Sequence, residues 1–336
     1  MAGFFKRLRF HLAGGITSTS KYEARRAALE KKHEKYLSLK QTPNLLRYQE
    51  LAMQLSTPRA QTGISKKAWS AMKRELIGLR KSQEVATFFK LQKSSDNFHE
   101  ITRWELVFED DFSGQTLDSA KWKPHPALVG AAIKTLYSPS SENHIYTDGS
   151  NLTVSNHALK MLVKRERAHG IGFGAQLGFA PIEREYTAGI VNTAQSHAQL
   201  LGKIEAKIQL RNPQKGVYHS FWLGTGKMLP HVNVLRLGAS LELSVFAAGQ
   251  KAGEELRYVE TWRRGLLKKN TAYVVALEWS KERMVWTVNG VELFSAPNIV
   301  DEPLYIAFSS GVTGKPKLAT PATLEISWVK AYRHRA

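Results

Sequence analysis

Three polar side chains interrupt an otherwise apolar run, Pro230-His-Val-Asn-Val-Leu-Arg-Leu-Gly238. In a strand, His231 and Asn233 share one face by alternation. A one-residue bulge adds Arg236 to that face, whereas a regular register puts Leu235 there instead. His231 titrates near neutrality, Asn233 donates and accepts but cannot ionise, and Arg236 is a permanent cation. Such a trio suits the holding of hydroxyls or of an acidic sugar. It contains no pair of carboxylates for acid–base work. Two nearby acids, Glu205 and Glu242, each lack a second acid at alternating spacing. Glu205 is expected on an outer sheet face and Glu242 on an exposed rim. Tyr218 and Trp222, in Gly216-Val-Tyr-His-Ser-Phe-Trp222, offer aromatic faces to a sugar ring; a strand this apolar favours a core position for Trp222. The chain has no cysteine, which excludes disulfides, zinc–thiolate sites and thiol catalysis.

The elements around these residues fall into two regions. From Lys21 to Leu91 the composition is helical, with Ala, Leu, Glu, Lys and Arg prominent. Thr42-Pro43 marks one helix start, and further helices begin near Ser65 and after Ser82. Leu39–Leu51 lines up with Leu79–Leu91 at a constant shift, pairing Thr42 with Ser82, Leu45 with Val85 and Tyr48 with Phe88. This predicts two helical hairpins made by duplication over residues 20–93, after a basic tail at 1–19. Lys93-Ser-Ser-Asp-Asn97 predicts a polar linker over 94–103. From 104 to 336, short β-branched and aromatic runs alternate with Gly, Asn and Pro. Strands are expected at Leu152–Val154, Ala158–Val163, Gly202–Leu210, Val232–Leu237, Leu241–Ala247, Ala272–Trp279, Met284–Val288, Pro303–Ser309 and Ala322–Tyr332. Asn289-Gly290 is a strong hairpin turn. Many short strands at this spacing predict a sandwich or barrel.

Taken in order, the β-rich motifs resemble glycoside hydrolase family 16, the laminarinases and lichenases. They are Phe108–Trp122, Tyr186–Thr193, Gly202–Leu210, Gly216–Trp222, Ala276–Trp279, Val288–Val291, Pro303–Phe308 and Leu324–Tyr332. The resemblance covers about residues 104–334. It implies a concanavalin-like antiparallel β-sandwich, or jelly roll, with a sugar cleft on its concave face, preceded here by the α-helical N-terminal region. It also implies a catalytic strand with the pattern Glu-x-Asp-x-x-Glu. In this chain His231, Asn233 and Arg236 stand at those positions, so the implied nucleophile and acid/base are both missing. Many family members hold a structural calcium through an Asp of the last strand. Ser327 stands there in this sequence, so no calcium and no other cofactor is carried over.

The formal charge is +19, with twenty Lys+Arg against eight Asp+Glu in residues 1–100. This excess points the helical region toward a protein partner, an assembly or a non-specific polyanion. No run is long and apolar enough for a membrane span. The opening Met1–Leu12 lacks the continuous apolar core of a secretory leader. A cytoplasmic location, export by another route and release within a particle all remain open. Three functions follow: a non-catalytic glycan-binding or structural protein, an active hydrolase on β-glucan-type polysaccharide with a displaced site, and a scaffold subunit with no glycan ligand.

Overall fold

The computed structural model describes residues 15–127, 136–139, 142–174, 178–251 and 253–335. Most of the expected basic tail, residues 1–14, lies outside the described residues. The chain divides into two compact units. One spans Ser20–Trp104 with Arg335, and the other Glu105–His334 with the segment ending at Thr19.

The first unit is helical: α1 (Thr19–Leu39), α2 (Pro43–Ser56), α3 (Lys66–Lys81) and α4 (Gln83–Gln92). Ser65 and Ser82 cap α3 and α4 by accepting the N–H groups of Ala68 and Val85. Leu39, Leu45, Val85 and Phe88 form a small buried cluster. Thr42 Oγ1 donates to the Leu39 carbonyl and Ser82 Oγ to the Leu79 carbonyl, the same bond at the two aligned positions. Leu45 and Val85 are both fully buried, whereas Phe88 is buried and Tyr48 only half so. We keep the duplication as a proposal. Over the stretch expected to be a linker the chain is helical, with a 3-10 turn at Ser95–Phe98 and a short helix at His99–Thr102. Phe98 explains the difference: it is buried, with its ring against His33 and Tyr36. No helix among the described residues is long and apolar enough to cross a membrane.

The second unit is a sandwich of two sheets, antiparallel apart from two short parallel pairings. The larger sheet is built around Ala272–Trp279, Gly202–Arg211 and Ala322–His334. The smaller runs in the order Ala198–Gln199, Leu304–Val312, Val217–Gly224, His231–Leu237, Ser240–Ala248 and Glu255–Arg263, with Ile190–Asn192 also on Leu304–Val312. Between the sheets lies one large core that includes Trp122, Phe221, Phe308, Leu235 and Trp286. The smaller sheet presents the polar trio on its other face and is the cleft sheet.

The expected hairpin forms between Arg283–Val288 and Val291–Pro297, with Asn289 and Gly290 at φ +48° and +74°. Asn289 does more than turn the chain. Its Oδ1 accepts Val274 N–H at 2.8 Å, and its Nδ2 donates to the Thr17 carbonyl at 2.7 Å and Thr19 Oγ1 at 3.0 Å. Ile16 packs on the sandwich core. The last residues of the expected tail are therefore part of the sandwich. Asn289→Ala leaves buried backbone groups unpaired and is expected to cost about 1–3 kcal/mol, read by chemical denaturation.

Candidate functional site

The cleft is organised by a bulge in the His231–Leu237 strand. Asn233 pairs with Ser244 and Arg236 with Glu242, so three steps on one strand span two on the next. On the other side Leu235 pairs with Phe221 and Asn233 with Trp222, two steps against one. Val234 is the extra residue, and it turns inward with Val232, Leu235 and Leu237. Trp286, from the opposite sheet, donates its Nε1–H to the Asn233 carbonyl at 2.9 Å. The bulged register places His231, Asn233 and Arg236 on the cleft face and sends Leu235 to the core.

His231, Asn233 and Glu242 are linked. His231 Nε2 lies 3.1 Å from Asn233 Oδ1. Asn233 Nδ2 donates to Ser244 Oγ at 2.9 Å and to Glu242 Oε1 at 3.2 Å, and Ser244 Oγ donates to the same Oε1 at 2.8 Å. Taking the donor role of the Asn233 amide as given, Oδ1 is an acceptor and His231 Nε2 carries the proton. Burial lowers the His231 pKa and keeps the ring neutral. Glu242, expected on an exposed rim, is instead a partly buried member of this network. Alternation alone assigns it no partner; the cross-strand register does.

A second network lies beside Arg236. The guanidinium sits over the Tyr218 ring, 4.4 Å from its centroid. Tyr218 Oη donates to Glu142 Oε2 at 2.5 Å and lies 3.1 Å from Tyr146 Oη. Tyr218 is 4% exposed, so it supports Arg236 from below and offers no face to a sugar. That corrects the expectation from sequence; aromatic residues with a polar tip are often buried in this way. Trp222 is corrected in the other direction. It lies on the cleft face, half-buried, with Nε1 donating to Ser309 Oγ at 3.1 Å and its ring 4.9 Å from His231 and 5.7 Å from Tyr305. A Cβ at Gly224 would come within 2.7 Å of the Trp222 ring, so the missing side chain lets the indole lie flat. Gly311 makes similar room, since a Cβ there would meet His144 Cε1 at 2.4 Å and Tyr218 Oη at 2.6 Å.

Glu142 and His144 were not legible in the sequence, because their loop has no periodicity. Tyr305 and Ser309 were not singled out either, although their alternation with the core residues Ile306 and Phe308 would have marked them. Burial raises the Glu142 pKa, against the opposing influence of the Tyr218 hydrogen bond and the Arg236 charge. Burial likewise raises both tyrosines. His144 Nδ1 accepts the Val312 N–H at 3.1 Å, so the proton of the neutral ring sits on Nε2.

The carboxylates near the cleft strand stand in separate networks. Glu142 touches Tyr218 on its Gly311 side, while Glu242 lies two strands away in the opposite direction. Glu205 lies on the other sheet, fully buried, 2.8 Å from Lys203 Nζ and 2.9 Å from Tyr332 Oη. Ser327 sits at a bulge opposite Lys207 and Ile208 and supplies no carboxylate. Among the described residues no three Asp, Glu or His side chains are grouped to hold a metal.

Burial drives His144 to a pKa of about 3 from an ordinary 6.5. It is faced by Glu142, Tyr146, Tyr218 and the Arg184 charge. The unfolded chain binds a proton below 6.5 that the fold refuses, so this contribution is present above 6.5 and lost as the pH falls. Glu142, raised above 4.5, acts in the opposite sense: its contribution is present below 4.5 and lost as the pH rises through its raised value. Compared with the wild type, His144→Gln should therefore lose less stability as the pH falls below 6.5, read by denaturation at a series of pH values.

No protein-family model matches the chain. A curated relative, the glucan endo-1,3-beta-glucosidase A1 of Niallia circulans, is 22% identical over 283 residues. The match covers 70% of this chain but only 39% of the relative, so the chain spans about two fifths of that protein's length. Among solved structures, the catalytic domain of an endo-1,3-beta-glucanase (laminarinase) from Thermotoga petrophila superposes with a TM-score of 0.55 at 20% identity, over 69% of this chain and 99% of that one. The LamA catalytic domain from Zobellia galactanivorans gives 0.54 at 18% identity, over 68% and 97%. An endo-beta-1,3-glucanase from Pyrococcus furiosus gives 0.53 at 19%, over 69% and 95%. The helices before Glu105 lie outside the sandwich that these proteins share with it. The β-rich unit of this chain has the glycoside hydrolase family 16 sandwich fold of the laminarinases.

Proposed function

We propose that the sandwich is a glycan-binding module without hydrolytic activity. The observation that carries this reading is the hydrogen-bonded set His231–Asn233–Glu242–Ser244, which lies where the resemblance places a catalytic dyad. Its donors and acceptors match sugar hydroxyls, and the half-exposed Trp222 beside it offers a ring face. A neutral chain fits better than an acidic one. Arg236 lies over the Tyr218 ring, with Glu242 opposite it in the register and Glu142 beside that tyrosine, so carboxyl groups already stand near this cation. The relatives are glucanases by name, and a β-glucan is the first ligand to try.

A displaced hydrolase is the second reading, and Glu242 is what favours it: a carboxylate does stand in the cleft, one strand over from the expected place. In the helical unit, α3 carries Lys66, Lys67, Lys73, Arg74, Arg80 and Lys81 against Glu75 with no buried residue. That face supports contacts with a protein partner or a polyanion.

Calorimetry with laminarin and a parallel reducing-sugar assay test the first reading. Binding without turnover is expected. Asn233→Ala and Trp222→Ala should each weaken affinity about tenfold, in line with the ~1–2 kcal/mol of a lost hydrogen bond or ring contact. Turnover that disappears in Glu242→Gln would establish the displaced hydrolase. No binding to laminarin or to a glycan array by a folded protein would leave the sandwich a scaffold.

A further inference from the structure

Beyond the start of the cleft strand, connections of both sheets enclose a cavity of about 620 Å³. Small-molecule sites span roughly 300–1,000 Å³. The cavity lies between the loop entering the cleft strand, the turn before Arg283–Val288 and the loop Asn298–Glu302. None of Trp222, His231, Asn233, Arg236 and Glu242 lines it.

Its walls are aliphatic: Leu200, Leu201, Leu229, Pro230, Ile299 and Val300. Pro230 and Val300 are buried, whereas Leu200 is 44% exposed, so the walls run from the core out to solvent. No aromatic ring lines the cavity, and a sugar finds no flat face there of the kind Trp222 offers. Walls of this composition favour the burial of aliphatic carbon.

Polar groups share the lining, and several are already matched. Lys227 Nζ lies 3.1 Å from Glu302 Oε2. Asn298 Oδ1 accepts the Val300 N–H at 3.0 Å, and the Asn298 backbone N–H donates to the Glu282 carbonyl at 3.0 Å. The second bond ties Asn298 to the turn that carries Lys281. What remains at that place is donors. The Asn298 amide NH2 has no hydrogen-bond partner among the described residues, and Lys281 makes no ion pair among them. The neighbouring Glu282 feels the Lys281 charge, but its carboxylate accepts from Ser280 Oγ at 2.7 Å. Asp301 is exposed and is the unpaired acid of the lining.

We propose that this cavity is a second ligand site, one that takes an unbranched aliphatic chain ending in a carboxylate. The chain lies on Leu201, Leu229 and Ile299. The carboxylate accepts from Lys281 Nζ and the Asn298 amide, a cation and a neutral donor side by side. An ammonium head would have Asp301 alone to meet it, which is why the acid is favoured. The site does not depend on what the cleft binds.

Calorimetry of the full chain with straight-chain carboxylates from hexanoate to decanoate, kept below micelle formation, tests this. One-to-one binding is expected, with affinity rising about fourfold per added methylene. Lys281→Gln should weaken decanoate about tenfold and leave decanol unchanged. Ile299→Lys should abolish binding of both, with circular dichroism confirming that each variant is folded. A wild type that fails to bind decanoate would overturn the proposal, as would a flat chain-length series. So would a Lys281→Gln variant that binds decanoate as well as the wild type. Decylammonium binding tighter than decanoate, and lost in Asp301→Asn, would overturn it too.

Discussion

The cleft depends on a single hydrogen bond through the core, from Trp286 Nε1 to the carbonyl of Asn233. A bulge leaves ladder groups without strand partners, and a buried carbonyl in that state costs about 1–3 kcal/mol unless another donor meets it. Trp286, itself almost wholly buried, is that donor. With the bulge fixed, Leu235 follows Val234 inward and every later residue of the strand changes face. Without it, Arg236 would point into the core and Leu235 into the cleft, a slip that the hydrophobic pattern strongly disfavours. The position of the only cleft-strand cation is thus set from the far sheet.

Around that strand the polar groups are buried in partnered sets. Asn233 uses both ends of its amide, Ser244 is held between Asn233 and Glu242, and Tyr218 bridges Glu142 and Tyr146. Such sets fix rotamers, because each broken contact strands a group in a low-dielectric site. In the proposed reading, this arrangement is what would receive an uncharged ligand with many hydroxyls. The same reading gives it no part in proton transfer. The one imidazole in the strand is held neutral by burial, and the two carboxylates lie on opposite sides of a cation and a phenol.

Much of the β-unit was legible in the sequence because its strands are β-branched and aromatic runs bounded by turn residues and packed on a large core. Ala272–Trp279 is found at its expected bounds, and Asn289-Gly290 turns the chain as its residues require. The polar trio was also legible, given a bulge, but the sequence alone left both registers open. Trp286 decides between them, and nothing in a linear pattern links Trp286 to Asn233. The strand Glu255–Arg263 escaped notice for a different reason. It is exposed on both faces, so no apolar period marks it. Glu142 sits in a loop, where only the third dimension brings it to Tyr218. Phe98 turned a polar break into folded chain, since one buried ring outweighs several solvated neighbours.

The attachment of Thr17 and Thr19 to Asn289 has a topological meaning. Chain belonging to the sandwich unit lies on both sides of the helical unit, before Ser20 and after Trp104. The helices are then an excursion from the sandwich rather than a header in front of it. A module of that kind has two seams. An exchange by recombination at the later seam alone would leave residues 15–19 orphaned, their partners at Asn289, Ala272 and the core facing a foreign chain. Lengthening or shortening the helices between the seams leaves those partners in place, and the entropy of the closed loop changes only logarithmically with its length. Variation in this lineage should therefore collect between the seams and not across them.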